Sequence, residues 1–243
     1  MSSVCKREPI VSDTTKAYPV PPTPSSYYNK LETILHRFRE ARKKNGFAKI
    51  TIVSDFEYLN AALGGDRPTL ADWKEIVQMG AVKYEGNKKV ASFMRFVKPT
   101  VYANISDKMW AEFTEITHIT KETIMEQGID FKQAWQEYAD FIDDNVVVII
   151  AGDREVAKWN WRLLGEPRDE EIDQMKWVIL KPLLPLEDFA QKLGGAKQVL
   201  SGNLYKLVGK QESDICQDGL TTHNALFDAT SMGLFLELYP STD

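Results

Sequence analysis

The chain has little cysteine, no long apolar run and no surplus of positive charge. Its 243 residues include two cysteines, Cys5 and Cys216. Two such residues make neither a disulfide framework nor a set of zinc ligands, which suits a reducing compartment. The longest purely apolar run is Val146 to Ala151, far short of the ~20 residues that span a bilayer. The opening stretch from Met1 to Glu8 has no apolar signal core. The expectation is a soluble intracellular protein, cytoplasmic or nuclear rather than secreted, with no membrane partner. The formal net charge is −5, from 30 Lys+Arg against 35 Asp+Glu. That speaks against a broad surface for double-stranded nucleic acid, which is normally basic. It speaks less against a site that grips a few nucleotides at a strand end, where bound divalent cations supply positive charge locally.

What the chain does have is apolar material for a full core: 43% hydrophobic residues, with six Trp and eleven Phe. No internal repeat or low-complexity tract is present. Residues 1–46 read as an N-terminal extension and 47–243 as one domain. In the extension, Pro19, Pro21, Pro22 and Pro24 favour extended chain. Tyr28, Leu31, Leu35 and Phe38 then recur at helical spacing, and the helix ends on a basic run through Lys44. Such a run complements the helix dipole; the amphipathic helix also offers a docking surface for a protein partner. From Ala48 the pattern turns to strands, with Ile50, Ile52 and Val53 leading to Asp55. Glu75–Tyr84 and Lys89–Val97 read as a hairpin about Gly86-Asn87. Residues 107–143 read as helices, broken near Thr117–Thr120 and at Gly128-Ile129. Val146–Ile150 is a fourth strand, followed by a helix to Leu164. Trp177–Leu180 is a fifth, stopped by Pro182. Helical patterns close the chain at Leu186–Leu193, Leu204–Val208 and Asn224–Leu238. A hairpin followed by alternating helices and strands predicts an α/β fold, a mixed five-stranded sheet flanked by helices.

Three short stretches carry chemistry. Asp55 and Glu57, two apart on a strand, project from one face, while Phe56 between them faces the other way into packing. Paired hard oxygens suit Mg²⁺ or Mn²⁺, although an ordinary solvated strand end reads the same. Asp153 follows the apolar run and Ala151-Gly152, at the end of a strand where open α/β sheets place ligands. Standing before a helix, it also reads as an N-cap. His223 and Asp228 are five apart, about 140° around a helix at ~100° per residue. They do not share a helix face, so His223 is expected in the loop or first turn and Asp228 in the helix. Ala225, Ala229, Met232 and Leu236 then form a buried stripe with Asp228 close to its edge. A carboxylate there is costly unless paired or metal-bound. Phe56, Tyr58 and Trp73 are candidates to stack terminal bases, though each also reads as core packing or plain exposure.

Together, and in this order, these stretches resemble the DEDDh family of 3′-to-5′ exonucleases, the DnaQ-like branch of the ribonuclease H-like fold. The likeness covers about residues 48–238. Glu75-Ile76-Val77-Gln78-Met79-Gly80-Ala81-Val82 resembles the family's second strand. Phe96-Val97-Lys98-Pro99-Thr100 and Glu115-Ile116-Thr117-His118-Ile119-Thr120 resemble its next landmarks. Ala151-Gly152-Asp153, with Gly202-Asn203-Leu204-Tyr205, leans toward the branch that trims small RNAs and histone-mRNA or ribosomal RNA ends. The resemblance implies a ribonuclease H-like sheet and a hydrolase acting on single-stranded 3′ ends, RNA ahead of DNA. It implies Asp55, Glu57, Asp153 and Asp228 as ligands of two Mg²⁺ ions, replaceable by Mn²⁺, and His223 as general base. It implies substrate contacts at Phe56, Tyr58, Thr117 and His118. The family usually has Gly where His118 stands, and a side chain there restricts the backbone. The nucleic-acid-binding domain that often precedes this branch has no counterpart in residues 1–46. Two alternatives compete: a DNA-directed exonuclease, and a catalytically silent nucleic-acid-binding module, which would be expected to have lost one of the five residues.

Overall fold

Apolar alternation builds a sheet with two differently occupied faces. The computed structural model describes residues 50–60, 74–86, 88–101, 105–184, 186–195, 199–215 and 220–237. The helix expected over Tyr28–Phe38, the docking role expected of it, and Trp73 lie outside the described residues. Strands β1 (Ile50–Asn60), β2 (Lys74–Glu85) and β3 (Lys88–Phe96) form an antiparallel meander. Strands β4 (Val146–Ile149) and β5 (Trp177–Ile179) add in parallel beside β1, giving the order β3-β2-β1-β4-β5. This is the expected mixed five-stranded sheet. The main helices are α1 (Asp107–Thr117), α2 (Lys121–Gln127), α3 (Phe131–Ile142), α4 (Asp153–Leu163) and α5 (Asp169–Gln174). After β5 come α6 (Leu186–Leu193), α7 (Leu204–Leu207) and α8 (Ala225–Glu237). Among the described residues no helix is long and apolar enough to cross a membrane.

The two sheet faces follow from the period of two along each strand. Val53, Val82, Tyr84 and Val148 pack with Phe189, Leu204, Ala229 and Met232 from α6, α7 and α8. Ile52, Phe56, Met79, Ala81 and Val147 pack on the other face against Trp135, Tyr138 and Trp161 of α3 and α4. A smaller cluster of Leu59 and Val77 with Trp110, Phe113 and Ile124 seats α1 and α2.

One irregularity sits beside the acidic end of β1. Glu57 pairs with Gln78 but Tyr58 pairs with Ile76, so Val77 is an extra residue and β2 is bulged. Bulges re-aim side chains and commonly border functional sites. Asn160 of α4 secures this one. Its Oδ1 accepts the Ile76 N–H at 2.9 Å, and its amide donates to the Lys74 carbonyl at 2.9 Å.

Three expectations change. Strand β1 runs on through Glu57 and Tyr58 to Asn60, because the β2 partner continues alongside. Strand β4 stops at Ile149, four residues before Asp153, which instead opens α4. The single buried stripe of α8 is also too narrow. Phe227 and Phe235 are 1% exposed alongside Ala225, Ala229 and Met232 at 0%, so the helix is buried on more than one side. An apolar surface nearly all round is what a central helix needs.

Candidate active site

Each acidic residue reaches the site from a different part of this frame. Asp55 and Glu57 leave β1 on the side of the sheet that faces α8, as their spacing predicts. Asp55 pairs with Gly80 of β2. A side chain at Gly80 would run into the Ala225 backbone, so its absence lets the start of α8 come down onto the sheet. Gln78, fully buried, holds it there: its Oε1 accepts the Ala225 N–H at 2.8 Å. One turn on, this brings Asp228 opposite β1. His223 precedes the helix in a left-handed turn at φ 63°, the loop position expected for it. Its N–H donates to Asp228 Oδ1 at 3.1 Å, and Asn224 Oδ1 accepts the Leu226 N–H at 3.1 Å. Asp153 is the first residue of α4, with Gly152 at the cap position and no side-chain capping bond.

These residues line one cleft of about 320 Å³. Its walls include Asp55, Glu57, Tyr58, Asp153, Lys181, Leu200, Ser201, His223 and Asp228. Asp55, Asp153 and Asp228 are 5%, 4% and 3% exposed, while Glu57 is half-buried. Burying like charges together is costly. Burial first, then the charges of Asp153, Asp228 and Glu57, holds the Asp55 carboxyl well above the usual range. Burial, then Asp228 and Asp153, does the same to Glu57. Burial lifts Asp153 to about 6, against the N–H groups of Asp153 and Phe56 and the nearby charge of Lys74. Burial lifts Asp228 to about 7, against hydrogen bonds from the Ser201 hydroxyl and the His223 and Gly202 backbones. His223 moves the other way: burial, then His118, lowers it. Its imidazole is therefore neutral at neutral pH and free to accept a proton.

The donor set fits a hard divalent cation. Asp153 Oδ2 is buried with no hydrogen-bond partner. Glu57, His223 and Asp228 present ligand atoms within 4.8 Å of one another. Oxygen-rich clusters of this kind suit Mg²⁺ or Mn²⁺, whose charge would relieve the mutual repulsion of the carboxylates.

The four expected substrate contacts divide. Tyr58 lines the cleft, with the Lys74 Nζ 3.4 Å from its hydroxyl and 4.7 Å above its ring. His118 is exposed at the end of α1, and it takes the left-handed conformation, φ 59°, that the glycine usual at this position adopts freely. The other two side chains are buried. The Phe56 ring is 2% exposed and stands edge-on to Tyr138 at 5.4 Å, so the residue offers the cleft its backbone and no face for stacking. Thr117 is buried and outside the cleft lining. Its hydroxyl donates to the Phe113 carbonyl at 2.9 Å and accepts the Ile119 N–H at 3.1 Å, which leaves it shaping the turn into His118.

Ser201 and Gly202 were not visible as site residues from the sequence. Ser201 Oγ donates to Asp228 Oδ2 at 3.0 Å, and a side chain at Gly202 would collide with the same carboxylate. Asp228 lies 27 residues beyond Ser201, and no local pattern announces such a contact.

The RNase_T exonuclease family model matches residues 55–232, from the first site carboxylate to four residues past the last. The chain belongs to that family. It is a hydrolytic exonuclease, and its sheet is the ribonuclease H-like fold of the DEDDh enzymes. The nuclease domain of 3′hExo, a DEDDh family member solved with rAMP bound, is similar at 13% identity and TM-score 0.57. It covers 79% of this chain and 91% of that one. Cell-death related nuclease 4 is similar at 14% identity and TM-score 0.52, covering 78% and 62%. Exonuclease I of E. coli, solved with a dT13 oligonucleotide, is similar at 12% and TM-score 0.55, covering 79% and 41%. No curated protein sequence matches the chain.

Proposed function

We propose that this exonuclease works from the 3′ end of single-stranded nucleic acid, RNA ahead of DNA, and releases nucleoside 5′-monophosphates. The observation that carries the reading is the convergence of Asp55, Glu57, Asp153, Asp228 and His223 in one cleft. Asp55, Glu57, Asp153 and Asp228 would hold two Mg²⁺ ions, with Mn²⁺ as a substitute. When bound, such ions supply Lewis-acid charge to the phosphate and lower the pKa of water.

The chain's own groups do the rest. His223, neutral because burial depresses its pKa, takes the proton of the attacking water, a role suited to imidazole. The new P–O bond forms as the bond to the 3′ oxygen of the preceding nucleotide breaks. The Asp228 carboxylate, held by Ser201, Gly202 and His223, keeps the turn bearing His223 in register with β1. Tyr58 lies where a terminal base or sugar can pack on its ring. The preference for RNA draws on the nucleotide bound to 3′hExo and on the small-RNA and histone-mRNA likeness around Asp153 and Gly202.

A time course on 5′-labelled single-stranded RNA and DNA, with Mg²⁺ and with EDTA, tests the reading. The expected result is an RNA ladder that shortens one nucleotide at a time and vanishes with EDTA. Faster shortening of DNA would move the substrate assignment to DNA. No cleavage of either by folded protein would support a silent binding module. His223→Ala is expected to lower turnover by roughly 10²–10⁴-fold with metal and substrate binding retained. Unchanged turnover would remove the base assignment, and a matching loss of metal affinity would make His223 a ligand.

A further inference from the structure

Lys181 stands out in the cleft because, among the described residues, no side chain pairs with its ammonium. It lines the same cleft as the carboxylates, at the start of the short 3-10 turn Lys181–Leu183 that follows β5. Its place is set by its backbone, whose N–H donates to the Ile150 carbonyl at 2.9 Å. Ile150 belongs to the turn that carries Asp153. The Lys181 side chain is exposed and forms no ion pair among the described residues. A lysine placed to neutralise the acidic cluster would be paired with it. Leu200, also in the cleft lining, is 38% exposed.

We propose that Lys181 binds the phosphate one nucleotide upstream of the scissile one. The inference rests on the reading of the chain as a 3′-to-5′ exonuclease. In that reading the terminal nucleotide has a single phosphate, the scissile one, and it sits at the carboxylates. Any second phosphate in the cleft is therefore the next one toward the 5′ end. An ammonium in the cleft that makes no ion pair with its carboxylates suits that group. Two divalent cations would balance the four carboxylates and serve the scissile phosphate, which leaves the next phosphate in need of a cation of its own. Lys181 then favours any strand that carries a second phosphate over a dinucleotide ending in a bare 5′-hydroxyl.

The test uses two substrates that differ by one phosphate: diadenylate with and without a 5′-phosphate. Wild-type protein is expected to cleave the phosphorylated form with ~10-fold higher kcat/KM, the size of a charge-assisted contact. Lys181→Ala is expected to abolish that ratio mainly through KM, and Lys181→Arg to restore most of it. On a longer single strand, the slope of log KM against log salt should fall by about 0.7 in Lys181→Ala, one phosphate contact fewer. Equal cleavage of the two dinucleotides by wild type would overturn the inference while leaving the exonuclease reading standing. So would a preference that survives in Lys181→Ala, or an equal loss on both substrates. Failure of wild type to shorten any single strand would remove the exonuclease reading itself.

Discussion

Two aspartates stand at helix starts, and they are treated in opposite ways. Asp130 precedes α3, is exposed, and caps it: its Oδ1 accepts the N–H of Lys132 at 2.8 Å and of Gln133 at 3.4 Å. Asp153 opens α4, is 4% exposed, makes no capping bond and keeps one oxygen without a partner. The first obeys the rule that helix N-termini attract Asp side chains. The second breaks it, leaves Gly152 at the cap position, and sits with three more carboxylates. Where a residue violates the local rule that would satisfy it, and the fold still holds it in place, function is the expected reason.

Exchanging the two carboxylates for neutral groups should split activity from stability. Asp153→Asn is expected to lower Mg²⁺-dependent cleavage about 10³-fold, the ~4 kcal/mol scale of lost metal assistance. It should also leave the metal-free protein at least as stable, because a buried charge disappears. A single assay of rate and melting temperature reads both. Ser201→Ala comes next. The loss of a hydroxyl that orients a ligand typically costs 10–100-fold in metal affinity, roughly the range expected here by calorimetric titration.

Stability should also depend on pH in a direction set by these residues. The folded values of Asp153 and Asp228 are raised to about 6 and about 7. Between the ordinary carboxyl value and those values, the folded state keeps protons that the unfolded chain releases. Stability of the metal-free protein therefore falls as pH rises through that window, and levels off above it. In EDTA the melting temperature should be lower at pH 8 than at pH 5. Asp153→Asn should flatten the decline and saturating Mg²⁺ should restore the value at pH 8. A wild-type profile no steeper than that of Asp153→Asn would contradict the shifts. The smallest effect is at the ordinary cap: Asp130→Ala should cost ~1 kcal/mol in stability and leave the cleavage rate within twofold.

Much of this was readable from local pattern. The strands, the hairpin, the helix breaks at Thr117–Thr120 and Gly128-Ile129, and the loop position of His223 all follow from periodicity and turn chemistry, which act over a few residues. The meeting of Asp55 with Glu57 was legible for the same reason. What stayed hidden depends on long-range contacts. Gln78 reaches Ala225 across 147 positions, and Asn160 reaches Ile76 across 84. The bulge at Val77 exists only in the pairing of two strands. Phe56 was open to two readings: proximity to the acidic residues suggested stacking, while the period of two already pointed its ring into the core, where it lies.

The reading of the cleft as a divalent-cation site rests on a cluster that still shares protons near pH 6.5, with Asp153 raised to about 6 and Asp228 to about 7. Calorimetric titration of Mn²⁺ at pH 6.5, in two buffers of different ionisation enthalpy, tests it most directly. Binding should be coupled to proton release, because the cation must displace protons held on Asp228 and its neighbours. Asp153→Asn should bind more weakly and release fewer protons. Absence of binding, or binding with no proton release, would contradict that reading.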